Sequence, residues 1–122
     1  MSTTILIAHG HRTIRNLLAA HLQREGYDVT VTGSGAEALA HAIAREPKLV
    51  ITDVVLVDRD GLALTEQLRK RFSPAKLPIL FVSKFQPFAD AALAAGANGY
   101  LVHETVSDWA LLLIEIQSLL AA

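Results

Sequence analysis

The sequence contains no cysteine, which excludes disulfide bonds, thiolate metal sites and thiol chemistry from what the chain can do. It also lacks a long apolar run, since the longest, at residues 109–114, has six residues, whereas a membrane-spanning helix needs about 18. No basic region precedes the short apolar stretch near the N-terminus, so we expect no secretory signal peptide. These absences are compatible with a cytoplasmic protein, and that is the location we expect.

An excess of charge of either sign is missing as well. The formal net charge is −1, which does not predict a nucleic-acid-binding surface. The basic run RKR at residues 69–71 is typical of the last turn of a helix, where cations interact favourably with the helix dipole. Because the chain has 122 residues and 52% of them are hydrophobic, it can bury a core, and we expect residues 1–122 to form a single domain.

Short apolar runs alternate along the chain with segments in which apolar residues recur every three or four positions. This pattern predicts five strands, each followed by a helix. The alternation favours an α/β fold with a doubly wound parallel sheet, and right-handed crossovers favour the strand order 2-1-3-4-5. Strands one, three and four are almost wholly apolar, which predicts burial on both faces, with strands two and five at the edges. The predicted strands cover residues 4–8, 27–32, 48–53, 78–82 and 99–102, and the predicted helices cover residues 13–24, 61–72, 87–95 and 106–120, with one more beginning at Ser34 and ending before Pro47.

Asp53 is the polar residue that closes the apolar third strand. The carboxyl end of a parallel sheet is where open α/β folds bind their ligands, so this carboxylate marks a candidate site. Strands one and three are neighbours in the predicted order, and His9, which follows the first strand, should therefore lie close to Asp53. Ser83 at the end of the fourth strand and His103 after the fifth should open on the same side of the sheet.

Five short runs occur along the chain in this order: TILI at residues 4–7, EGYDV at 25–29, GAEAL at 35–39, LPILFVS at 77–83 and GANGYL at 96–101. Asp60 and Gly61 follow Asp53 after seven and eight residues. In this order and at these separations the runs resemble the receiver domains of bacterial two-component response regulators, over essentially the whole chain. The resemblance implies a flavodoxin-like fold, with Asp53 as the candidate phospho-acceptor and Ser83 and Tyr100 as candidate switch residues.

The residues that would bind a metal ion depart from this resemblance. Where the family has two adjacent acids that hold Mg²⁺ with the phospho-acceptor, this chain has His9 and Gly10, and His103 occupies the position of a lysine that contacts the phosphoryl group. Of the family's ligand set, only Asp53 and a backbone carbonyl, assigned to Val55, remain. Mg²⁺ prefers oxygen ligands, and imidazole nitrogen is a poor replacement. The sequence therefore predicts weak or absent Mg²⁺ binding and no other cofactor.

Three functions remain open on these grounds. The leading one is an atypical receiver, or pseudo-receiver, which is not an enzyme and acts in a two-component phosphorelay mainly through protein contacts. The second is a working phosphoprotein, in which a histidine kinase phosphorylates Asp53. The third is a site for Zn²⁺ or another late first-row ion formed by His9, Asp53 and His103, against the simpler interpretation that these histidines lie in solvated loops. A flavin-binding flavodoxin is disfavoured, because the loops lack the aromatic and hydroxyl-rich stretches that would hold the cofactor.

The predicted last helix is unusually apolar. Its buried face can be formed by other residues, which leaves Leu111 and Ile114 without an evident place in the core. An apolar patch of this kind is typical of a partner surface, and in the receiver family the face formed by helix four, strand five and helix five commonly mediates dimers. We therefore expect a histidine kinase or other signalling protein as partner and a homodimer through this face, with ordinary core packing as the alternative. We expect neither nucleic acid nor a membrane to bind this domain.

Overall fold

The structure is a computed structural model, and it describes residues 3–84, 86–102 and 109–121. Strands and helices alternate along this part of the chain, with a short 3₁₀ helix, Gln86–Phe88, before the fourth α-helix. The strands are β1 (Thr4–Ala8), β2 (Asp28–Thr32), β3 (Leu49–Thr52), β4 (Ile79–Ser83) and β5 (Gly99–Val102), and the helices are α1 (Arg12–Arg24), α2 (Gly35–Arg45), α3 (Gly61–Arg69), α4 (Ala89–Ala95) and α5 (Trp109–Ala121).

The five strands form one sheet in the order β2-β1-β3-β4-β5, and each neighbouring pair is parallel. The predicted fold class and strand order are therefore confirmed. Each described helix is too short or too polar to span a bilayer.

Two apolar layers cover the two faces of the sheet. Helices α2, α3 and α4 pack on one face, against strand residues that include Leu6 and Phe81. Helices α1 and α5 pack on the other face, against residues that include Ile7 and Val82, and the ring of Trp109 at the start of α5 stacks on His21 of α1 with centroids 4.5 Å apart. Because side chains alternate along a strand, the central strands supply both layers at once. They are almost wholly buried, as predicted, whereas β2 and β5 are mostly half-buried.

Local hydrogen bonds explain where several helices begin and end. Ser34 is the N-cap of α2, and its hydroxyl accepts the Glu37 N–H at 3.2 Å, as the spacing predicts. Helix α3 ends at Arg69, three residues before the predicted position 72. The Arg69 guanidinium donates to the carbonyls of Leu77 and Gly96, both at 2.8 Å, and these bonds fix the turn that leads toward β4. Residues 106–108 of the predicted last helix lie outside the described residues.

Candidate functional site

Asp53 is the first residue after β3, and β3 lies between β1 and β4. The backbone N–H of Asp53 donates to the Ala8 carbonyl at 3.2 Å. Its carboxylate Oδ1 accepts the Val54 N–H at 2.7 Å, which fixes the orientation of the group, and the side chain is only 7% exposed. The candidate phospho-acceptor is thus a nearly buried carboxylate held by backbone contacts at the carboxyl end of the sheet.

Gly61 packs against the backbone of Asp53. A Cβ atom at position 61 would overlap the carbonyl oxygen of Asp53 and would lie 3.2 Å from the Phe81 ring. The Gly61 N–H donates to the Val54 carbonyl at 2.7 Å. The first turn of α3 can approach the site this closely only because residue 61 has no side chain.

His9 lies beside Asp53 and is fully buried. Its ring Nε2 is 2.9 Å from the carbonyl oxygen of Val82, and because a carbonyl only accepts, Nε2 carries the proton. Its Nδ1 accepts the backbone N–H of His11 at 3.2 Å, so these partners assign the neutral Nε2–H tautomer. The distance from Nε2 to Asp53 Oδ2 is 3.8 Å, which confirms the predicted proximity but exceeds hydrogen-bond length.

The backbone carbonyl of Val55 packs against Gly10. A Cβ atom at position 10 would overlap the Val55 oxygen and would lie 3.2 Å from its carbonyl carbon. The carbonyl assigned as a Mg²⁺ ligand thus lies where an acidic side chain at position 10 would have to begin. The Val55 carbonyl packs against Gly10, and both ring nitrogens of His9 are hydrogen-bonded. The atoms around Asp53 therefore do not fit a hard cation, which prefers several oxygen ligands.

The loop between β3 and α3, residues 53–60, is fastened to the start of α2. Asp58 accepts the Gly35 N–H at 2.7 Å, the Ala36 N–H at 3.0 Å and the Ser34 hydroxyl at 3.0 Å. Burial raises the pKa of the Asp58 carboxyl. The hydrogen bonds together lower this pKa by more than burial raises it, so the net shift is downward. Asp58 and Ser34 are 24 residues apart in the sequence, so no local pattern indicates this cap.

Ser83 and Tyr100 form a second part of the site. Burial raises the pKa of the Tyr100 hydroxyl, a hydrogen bond with the Ser83 side chain lowers it, and the nearby charge of Asp53 raises it, with a net upward shift. The Tyr100 ring stacks on Phe81 with centroids 5.8 Å apart and planes 16° apart. Ser83 and Asp53 thus both act on the Tyr100 hydroxyl, so the three side chains lie in one region of the sheet. Their roles as phospho-acceptor and switch residues stay predictions.

The metal hypothesis involving histidines receives no support from the described residues. His103 lies outside them, and among them no group of three His, Cys, Asp or Glu side chains is placed to hold a metal ion. His9 would have to give up one of its ring hydrogen bonds before it could coordinate an ion. The Zn²⁺ site formed by His9, Asp53 and His103 stays a prediction.

Exposed apolar side chains occur on both helices that flank β5. Leu111 is 55% exposed and Ile114 is 62% exposed, whereas Leu112 between them is fully buried. Phe88, just before α4, and Leu93, within α4, are also exposed. We call these four exposed side chains the α4–α5 face. The prediction that Leu111 and Ile114 lie outside the core is confirmed, and exposed apolar side chains can take part in partner contacts.

Comparisons with known proteins give one consistent result. Residues 5–109 match the family model described as the response regulator receiver domain. The chain is 34% identical over 103 residues to the alkaline phosphatase synthesis transcriptional regulatory protein PhoP of Bacillus subtilis, covering 83% of this chain and 42% of that protein, so it spans less than half of that relative's length.

Two solved structures are also similar to the chain. A structure from Chloroflexus aurantiacus J-10-fl, assigned as a response regulator, is 30% identical, with a TM-score of 0.88 and 100% of both chains covered. The BeF3-activated N-terminal receiver domain of Klebsiella pneumoniae RstA is 25% identical, with a TM-score of 0.88, covering 98% of this chain and 100% of that one.

Proposed function

This chain belongs to the response regulator receiver domain family, and we propose that it is an atypical member whose conformation is set by protein contacts rather than by Mg²⁺-dependent phosphorylation. Receiver domains are signalling modules of two-component systems and are not typical enzymes. They interact with histidine kinases and other signalling proteins, and we propose a partner of this kind here. The single-domain organisation of residues 1–122 and the cytoplasmic location stay predictions.

The observation that carries this proposal is the buried imidazole of His9 next to Asp53, with both ring nitrogens hydrogen-bonded in the pattern of the neutral Nε2–H tautomer. Phosphoryl transfer to a carboxylate brings negative charge toward negative charge, and a metal ion ordinarily neutralises it. A neutral ring supplies no such charge. Because both of its nitrogens are hydrogen-bonded, the ring also supplies no lone pair to an ion.

Energies of hydrogen bonds indicate how strongly this arrangement disfavours an ion. Freeing one ring nitrogen of His9 for an ion breaks one hydrogen bond, at a net cost of about 1 kcal/mol. That cost lowers the affinity for an ion by about fivefold, while a millimolar site supplies only about 4 kcal/mol in total. We therefore propose that Mg²⁺ does not bind at cellular concentrations.

A phosphodonor experiment tests the proposal. The protein is incubated with acetyl phosphate, with and without Mg²⁺, and its intact mass is measured. We expect no species heavier by the mass of one phosphoryl group, because Asp53 lacks the charge neutralisation that the transfer needs. A phosphorylated species that requires Mg²⁺ and is absent from Asp53→Asn would overturn the proposal. A receiver domain with an intact acidic pair, treated in parallel, shows that the phosphodonor is active.

The second candidate function is a working phospho-acceptor, phosphorylated on Asp53 by a histidine kinase. The observation in its favour is that Asp53, Ser83 and Tyr100 lie together at the end of the sheet. The mass experiment separates the two functions, since a phosphorylated wild-type protein supports the second one. Repeating it with a cognate kinase in place of acetyl phosphate extends the test to the protein donor.

We also propose that the α4–α5 face mediates a homodimer. Burying Leu111 and Ile114, which are both more than half exposed, removes apolar area from water and favours association. We expect Leu111→Glu to raise the dimer dissociation constant by about tenfold or more, since a charge would be buried in the contact. Sedimentation over a range of concentrations measures this effect. Leu17→Glu, at an exposed leucine of α1, is the matched control, and a wild type that is monomeric throughout the range contradicts the dimer.

A further inference from the structure

The His9 side chain spans the end of one strand to reach another. Its own strand, β1, is separated from β4 by β3, yet its Nε2–H donates to the Val82 carbonyl of β4 at 2.9 Å. Asp53 lies next to this link, with Oδ2 3.8 Å from Nε2. The imidazole thus connects the first and fourth strands at the carboxyl end of the sheet.

The accepting carbonyl belongs to the peptide unit that also contains the N–H of Ser83. A peptide unit is planar, so a hydrogen bond to its oxygen restrains the whole plane, including the atom from which Ser83 continues. Ser83 lies on the same face of β4 as Phe81, which pairs with Tyr100 of β5 and stacks on its ring. Ser83 therefore lies beside Tyr100, and a hydrogen bond with its side chain lowers the pKa of the Tyr100 hydroxyl. A continuous series of contacts therefore connects His9 to Tyr100.

We propose that His9 is a positioning residue that holds Ser83 and Tyr100 in their paired arrangement without a phosphoryl group or a metal ion. The inference rests on the proposed function, because the imidazole can hold this position only where no cation is bound. On this inference, the histidine at position 9, where the resemblance implies an acid, has a structural role of its own. The same side chain that removes the cation site supplies a fixed link between strands, and the pairing of Ser83 with Tyr100 becomes the resting arrangement.

Fluorine NMR on protein labelled with 3-fluorotyrosine tests this role. The chain has two tyrosines, so Tyr27, on the opposite edge of the sheet next to β2, serves as an internal reference. We expect one Tyr100 resonance in the wild type. His9→Ala should move or broaden it by more than its linewidth, because the Val82 carbonyl loses its donor, while Tyr27 stays unchanged. His9→Gln, whose side-chain amide can donate to the same carbonyl, should restore the wild-type position.

Further variants keep the result interpretable. His11→Ala alters the exposed neighbour and should leave the Tyr100 resonance in place. Ser83→Ala removes the side chain paired with Tyr100 and should move the same resonance, which shows that the label reports on the pairing. His9→Leu, which fills the site without a donor, replaces His9→Ala if that variant does not fold. A Tyr100 resonance that is unchanged in folded His9→Ala, or unchanged in Ser83→Ala, overturns the inference. No phosphodonor is present in these samples, so such a result leaves the proposed function to the mass experiment.

Discussion

The His9→Asp, Gly10→Asp double variant is expected to lose about 4 kcal/mol of unfolding free energy when no divalent cation is present. The loss of the two ring hydrogen bonds of His9 accounts for about 2 kcal/mol. The overlap between a Cβ atom at position 10 and the Val55 carbonyl accounts for about 2 kcal/mol more, within the range for overpacked sites. The two new carboxylates repel each other and Asp53, which lowers the stability further.

Mg²⁺ is expected to return part of this stability to the double variant and none to the wild type. An ion that binds only the folded state stabilises it by about 1.4 kcal/mol at ten times its dissociation constant. Urea denaturation with and without Mg²⁺ measures both quantities. His11→Asp is the control, because it adds a carboxylate at an exposed N-cap position, where aspartate is well suited to the role. A wild-type protein whose unfolding midpoint rises in Mg²⁺ contradicts the proposal that Mg²⁺ does not bind.

Gly61→Ala is expected to cost about 3 kcal/mol of unfolding free energy, at the upper end of the range for overpacking. The added Cβ atom would overlap the backbone oxygen of Asp53 and would approach the Phe81 ring. Neither neighbour can yield without moving the end of β3 or the core residue behind it. Relief of the overlap therefore displaces the candidate phospho-acceptor itself.

Gly26→Ala separates this overlap from the general cost of replacing a glycine. Gly26 has φ +92, and nothing lies within 4 Å of a Cβ atom placed there, so the alanine meets only backbone strain, of about 1 kcal/mol. Chemical denaturation of both variants gives the comparison. If Gly61→Ala loses no more than Gly26→Ala, α3 is not held against Asp53 as tightly as the contact indicates.

The architecture was predictable because it depends on periodicity and strand order. The apolar runs place β1 and β5 at the bounds that the structure shows. The order 2-1-3-4-5 follows from right-handed crossovers. It makes β1 and β3 neighbours, so the sequence alone predicts that His9 and Asp53 lie close together. The exposure of Leu111 and Ile114 followed in the same way from an apolar helix with more large side chains than one buried face can hold.

The details that decide the chemistry were not predictable, because they depend on the paths of loops. Nothing in the sequence indicates that the His9 ring reaches across β3 to Val82, since the strand pattern fixes neighbours but not the partner of a ring nitrogen. The contact between Gly10 and Val55, and the three hydrogen bonds that Asp58 accepts, depend on how the loop after β3 folds back. The sequence places His9 and Gly10 where the resemblance implies acidic ligands, but it does not indicate that the Val55 carbonyl lies against Gly10.

Val82 belongs to two parts of the molecule at once. Its side chain lies in the apolar layer beneath α5, with Leu112 and Ile116, and its carbonyl accepts a hydrogen bond from the buried imidazole of His9. A protein that binds the outer surface of α5 and tilts that helix would displace the Val82 side chain, and the displacement would reach His9 through the covalent backbone of a single residue. Information in this domain would then travel from the outer surface of α5 inward, opposite to the direction in which an acceptor carboxylate would send it.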